Sequence, residues 1–119
     1  MSLNELTAIS PLDGRYWRKL QDLSEYFSEF GLIKSRVKVE IEYFIRLCEI
    51  PLPMLADFNK ENFKVLREIY DNFSVEDANK IKQTERITNH DVKAVEYFIK
   101  EKVKKIKKIY QEFKSIIYY

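Results

Sequence analysis

Residues 83–104 read QTERITNHDVKAVEYFIKEKVK, and this stretch decides the fold class. A polar run, Thr88-Asn89-His90-Asp91, gives way at once to apolar residues at helical spacing: Val92, Val95, Ile99 and Val103. That pattern marks a helix start. Thr88 is the expected N-cap, with Asp91 three residues on closing a capping box in the place usually held by Glu. The first N–H groups of such a helix lack intrahelical partners, and its dipole is positive at that end. The corner therefore favours anions, phosphate above all. His90, the single histidine of the chain, stands there able to accept or relay a proton. Capping alone would also account for Thr, Asn and Asp at this place, and a histidine at a helix start is commonly a surface hydrogen-bonder.

Followed toward the C-terminus, the apolar series continues through Ile106, Tyr110, Phe113 and Ile117, with steps of 3 and 4 throughout. This is close to a heptad seam. The other face carries Lys100, Lys104, Lys107, Lys108 and Lys114. A solvated lysine face is the commoner reading than an acidic membrane or a nucleic acid. Residues 115–119, SIIYY, hold no helix stop and read as a helix cut through its middle.

Upstream the same periodicity recurs. Phe30, Ile33, Val37, Ile41, Phe44 and Cys48 predict a helix over 28–49, ended by Pro51 and Pro53. Leu32, Val39, Tyr43 and Leu47 widen its apolar surface, which predicts neighbours on more than one side. Trp17, Leu20, Leu23 and Phe27 share a face of an earlier helical stretch, and Ser24, Ser28 and Gly31 predict a break near residue 28. Asp57 or Asn59 is expected to cap a helix over 60–73. Ser74 with Asp77 forms a second capping-box pattern. The helix it opens, 75–87, is so polar that it would be marginal alone; it serves to deliver Arg86 and the 88–91 corner.

Residues 1–16 read as an irregular lead-in. Ser10-Pro11-Leu12-Asp13-Gly14 is turn chemistry, with Asp-Gly supplying a position that tolerates positive φ. Arg15 and Tyr16 follow directly. An arginine on a rigid turn can read phosphate or carboxylate with two parallel donors. It can equally face water beside a tyrosine packed on the first helix.

Composition bounds the rest. The chain has 119 residues, 45% hydrophobic and 34% charged, with two Gly and three Pro. One domain, 1–119, built from long helices is expected. A net charge of +2 is too small to call for a nucleic-acid partner. A single cysteine, Cys48, excludes an internal disulfide, and its apolar setting predicts a buried thiol. No Gly-rich phosphate loop is present. One His and one Cys cannot make a His–His zinc pair, and nothing in their placement marks a Cys–His nucleophilic couple. No secretory leader and no membrane-spanning apolar run is evident, so a cytoplasmic protein is expected.

Two stretches carry a resemblance: ISPLDGRY at 9–16 and ERITNHDVKAVEYF at 85–98. Together they resemble the N-terminal region of the adenylosuccinate lyases, of the long type found in many bacteria and some protozoa. The likeness covers essentially the whole chain. That family lies in the fumarase/aspartase superfamily, whose members are all-α homotetramers around a long central helical bundle. The resemblance implies elimination of fumarate from adenylosuccinate to give AMP, and the parallel cleavage of the succinyl-carboxamide imidazole ribotide of purine synthesis. It implies no metal and no organic cofactor. By motif, Arg15 and Tyr16 would contact the nucleotide, and Asn89, His90 and Asp91 would line the same pocket, with His90 in a supporting catalytic role.

Three family segments are missing: the T-S-x-D loop, the T-H-x-Q segment with the general-acid histidine, and the S-S-x-M-P-x-K-x-N loop with the serine base. The expectation is an N-terminal fragment that ends at the start of the central bundle and is inactive alone. Its seam should then be partly exposed and should drive association. The rival reading is a free-standing helical interaction module that binds a partner through the 92–117 seam.

Overall fold

A computed structural model describes residues 2–50 and 52–106 of the chain. Among these residues every regular element is helical and no strand occurs, so the all-α expectation holds. By its contacts the chain divides into two compact units, Met1–Leu32 and Ile33–Tyr119.

In the first unit, residues 2–16 form turns, as their composition predicts. Asn4 ties the earliest of them, its side-chain oxygen accepting from the Leu6 and Thr7 N–H groups. Helix α1 (Trp17–Leu20), a 3-10 turn (Gln21–Leu23) and α2 (Ser24–Phe27) follow. None of the three buries a residue. The face formed by Trp17, Leu23 and Phe27 is exposed rather than packed.

The break near residue 28 is present and has a clear cause. Ser28 is extended, with ψ 169°. Its Oγ accepts from the Gly31 N–H at 3.1 Å, which caps α3 (Glu29–Glu49). A Cβ on Gly31 would lie 2.5 Å from the Glu25 carbonyl oxygen, so only glycine lets the two helices meet this closely.

The second unit holds the core. It contains the rest of α3, a 3-10 turn at Pro53–Leu55, α4 (Asn62–Asp71), α5 (Val75–Thr88) and α6 (Asp91–Lys104). From α3 come Ile33, Val37, Ile41, Phe44, Ile45 and Cys48, all buried. Phe58 crosses edge-on to Phe44 at 5.1 Å and stacks on Phe63 at 5.9 Å. Phe73 meets Phe98 edge-on at 5.5 Å, which ties the end of α4 to α6. Helix α6 packs against α5 and touches α4.

Several expectations require correction. Val95, Ile99 and Val103 are buried inside the chain, not partly exposed, because α4 and α5 cover them. Of the seam only Val92 is exposed among residues 92–103, while Tyr110, Phe113 and Ile117 lie outside the described residues. The described part of the seam is therefore already occupied and offers a partner helix little. The second apolar side of α3 finds no neighbour among the described residues: Leu32, Val39 and Tyr43 are exposed. Neither Asp57 nor Asn59 caps α4. The Asn59 side chain instead accepts from the Glu61 N–H at 2.9 Å, closing a turn before the helix begins at Asn62.

Candidate functional site

Helix α5 begins as predicted. Ser74 accepts from the Asp77 N–H, and the Asp77 carboxylate accepts from the Ser74 N–H, both at 3.1 Å. Burial alone would raise the Asp77 pKa, but the Ser74 hydrogen bonds and Lys102, 3.5 Å away on α6, hold it below the usual carboxylate range.

The far end of α5 differs from expectation. The helix runs through Thr88, and Asn89 turns left-handed at φ 53° with its N–H on the Glu85 carbonyl at 2.7 Å. Asn is among the few side chains that tolerate this conformation. His90 is then extended, at φ −148°, and it caps α6: its Nδ1 accepts from the Lys93 N–H at 3.2 Å. Thr88 is thus the last residue of one helix rather than the cap of the next. Its Oγ1 receives the His90 N–H at 3.3 Å and donates to the His90 carbonyl at 3.2 Å. The Thr88–Asp91 capping box does not form, because Asn89 completes α5 and moves the next start two residues on.

This shift changes the chemistry of the corner. With Nδ1 occupied as an acceptor, the ring proton of the neutral imidazole sits on Nε2, which is left as a donor. Asp91 is likewise engaged on both oxygens. Its Oδ1 accepts from the Val92 N–H at 2.8 Å, and its Oδ2 lies 3.0 Å from Arg36 Nη2 on α3. The Val92 N–H first and Arg36 second hold the carboxyl below its ordinary range, so Asp91 is an anion at neutral pH. Two N–H groups of the first turn, those of Val92 and Lys93, therefore already have acceptors. The anion site expected of these free N–H groups is thus partly filled by the chain's own Asp91 and His90 side chains.

The arginine turn belongs to the first unit. Asp13 organises it, accepting from the Ser10 N–H at 2.7 Å and the Ile9 N–H at 3.2 Å. The Ser10 N–H leads in lowering the Asp13 pKa; covering the group works against this, and the Ile9 N–H assists. Gly14 does not adopt positive φ. It is required for closeness instead, since a Cβ would lie 2.8 Å from the Glu5 carbonyl oxygen. The buried glycine fixes where the next two residues emerge. Arg15 then lies over the Tyr16 ring at 4.7 Å, a cation–π pair with both side chains exposed.

Arg15 and Tyr16 thus stand in one unit and Asn89, His90 and Asp91 in the other. Sequence reasoning passed over Arg36 and the Glu42–Arg67–Tyr70 cluster. In that cluster Arg67 grips both Glu42 oxygens at 2.9 and 3.3 Å, and the Tyr70 hydroxyl donates to Glu42. The one available signal for Arg36 was its place beside Val37 in the apolar series of α3. No group of three or more His, Cys, Asp or Glu among the described residues is arranged to hold a metal ion. Nor is any helix among them long and apolar enough to cross a membrane.

No protein-family model matches the chain. Adenylosuccinate lyase of Dictyostelium discoideum is 63% identical over 105 residues, which is 87% of this chain and 22% of that protein. The chain belongs to the adenylosuccinate lyase family. The adenylosuccinate lyase of Escherichia coli K12 is 47% identical over 92% of the chain and 24% of its own length. That of Haemophilus influenzae is 49% identical over 87% of the chain and 23% of its own length. The chain therefore spans about a quarter of the length of the curated adenylosuccinate lyases it matches.

Proposed function

We propose that the chain is the N-terminal helical domain, residues 1–119, of an adenylosuccinate lyase and carries part of its nucleotide site. The observation that supports this most is the 63% identity to a lyase over nearly the whole chain. The reaction is elimination of fumarate from adenylosuccinate to give AMP, with the matching cleavage of the succinyl-carboxamide imidazole ribotide in purine biosynthesis. The full protein works as a cytoplasmic homotetramer, with no metal, no organic cofactor and no nucleic-acid partner.

Such an elimination needs a base at carbon, an acid at the leaving nitrogen, and donors for the developing negative charge. In this reading Arg15 offers its guanidinium to the nucleotide phosphate and Tyr16 supports it. Asn89 and the His90 Nε2–H supply hydrogen bonds, so His90 acts in support of the proton transfers. Asp91, held ionised, anchors the corner. None of these residues forms the second half of an acid–base couple, so the 119-residue chain alone releases no fumarate.

The test is kinetic and uses the full-length enzyme. Arg15→Ala should weaken nucleotide binding. His90→Ala should lower the elimination rate, by up to the ~100- to 10,000-fold typical of proton-transfer groups. A His90→Ala enzyme with unaltered rate and affinity would sink the reading, as would fumarate release by the purified 119-residue chain.

A further inference from the structure

We infer that Arg36 is a positioning residue for the His90 corner, acting through Asp91; the catalytic part of this inference rests on the reading of that corner as part of a nucleotide site. Three observations carry it.

First, the corner is locally under-held. His90 is extended and exposed, follows a left-handed Asn89, and is tied by hydrogen bonds that are themselves exposed. Exposed bonds of this kind open readily. Second, the Arg36–Asp91 pair, at 3.0 Å, runs from this corner to a different element. That element is α3, whose Ile33, Val37 and Ile41 are among the most deeply buried side chains. Arg36 lies beside Val37 with its side chain only 30% exposed, so most of that side chain is covered while its guanidinium still meets Asp91. Asp91 shares its two oxygens between the α6 backbone and Arg36. It therefore rivets the first turn of α6 to the core helix, one residue from His90. Third, the placement of Arg36 is unfavourable on its own. A cation beside the N-terminus of a helix opposes the dipole. Asp91 offsets that, and the geometry joins the two into a clamp.

A pair this exposed is a weak stabiliser, and that separates the two roles. Lost stability alone would leave a folded enzyme at nearly full rate. Displacement of a polar group in a site costs on the order of 100-fold per ångström. The test compares R36Q, R36K, D91N and the R36Q/D91N double variant in the full-length lyase. R36Q should lower kcat/KM for adenylosuccinate by about ten-fold or more with a nearly unchanged thermal midpoint. R36K should recover part of the loss, since it restores the charge but not the planar fork. The double variant should be no worse than the poorer single one, because both break one clamp. A kcat/KM for R36Q within about two-fold of the parent, or a double-variant loss equal to the product of the single losses, would overturn the inference.

H90A is assayed alongside. If it keeps the parental rate, the nucleotide-site reading fails, and the clamp is then read in the 119-residue chain by amide exchange at Lys93, whose N–H is held by the His90 ring. Faster exchange in R36Q, by about two- to five-fold, supports the clamp independently of catalysis; unchanged exchange overturns it.

Discussion

Asn89 has a backbone role in the left-handed turn, the proposed function adds a side-chain role, and two substitutions separate them. Asn89→Gly keeps the left-handed turn and removes the amide, so the fold should hold while any nucleotide contact is lost. Asn89→Val puts a β-branched residue at φ 53° and should cost about 1–2 kcal/mol in chemical denaturation. Tyr70 offers a titration test. Burial first, and then its bond to Glu42, pushes its hydroxyl up to about 12 from 10.0. A raised acid stabilises the fold below its unfolded value and loses that contribution as pH rises through the folded one. Stability should therefore drop between about pH 10 and 12, in step with phenolate absorbance. Glu42 works in the opposite sense: Arg67 first and Tyr70 second hold its pKa below 4.5, so its contribution is lost as pH falls below that value. Tyr70→Phe should cost about 1–2 kcal/mol at neutral pH and abolish the drop near pH 11. Loss of the acid limb with an intact alkaline one would contradict this account.

At the scale of elements, α5 depends on its cap and on two buried apolar residues, Ala78 and Ile81. Ser74→Ala should cost about 1 kcal/mol, and Ile81→Ala about 2–5 kcal/mol through the cavity it leaves, both read from urea midpoints. The α3–α6 contact carries a local conflict. Burial and the facing Glu96 push the Glu40 carboxyl upward. Its protonated form suits the fold better, so stability is present at low pH and lost as Glu40 ionises. Glu40→Gln should therefore raise the thermal midpoint at pH 7, and a lowered midpoint would show that the charged form has a partner that matters more.

For the molecule as a whole, the buried apolar side chains among the described residues all lie in the second unit. In the first unit Leu6, Ile9 and Phe27 are at least 84% exposed. A segment without a core of its own has little beyond local hydrogen bonds to resist opening. In the isolated 119-residue chain, limited proteolysis should cut first within residues 2–32 and leave a resistant piece containing α3 to α6. First cuts between α5 and α6 would contradict this ordering.

What the sequence determined by itself were the local features. Helical periodicity placed α3 and α5 to within a residue and α4 to within two at each end, because a repeat of 3.6 is written in neighbouring positions. It was less exact for α6, which starts at Asp91 and ends at Lys104 although the apolar series runs on to Ile117. The break at Ser28 and the Ser74–Asp77 cap were equally legible, since each bond closes within three residues. The arginine turn at 10–15 and the polar corner at 88–91 were visible as local patterns for the same reason. The tertiary structure decided the rest. It moved the α6 cap from Thr88 to His90, since α5 runs on through Thr88, the left-handed Asn89 ends it, and α6 then starts at Asp91. It buried Val95, Ile99 and Val103 yet left Val39 and Tyr43 exposed, because periodicity marks an apolar face without saying whether anything covers it. Arg36 and Asp91, and Glu42 with Arg67 and Tyr70, meet only after the helices have packed. Their partners are distant in the chain, and no local rule of spacing could have joined them.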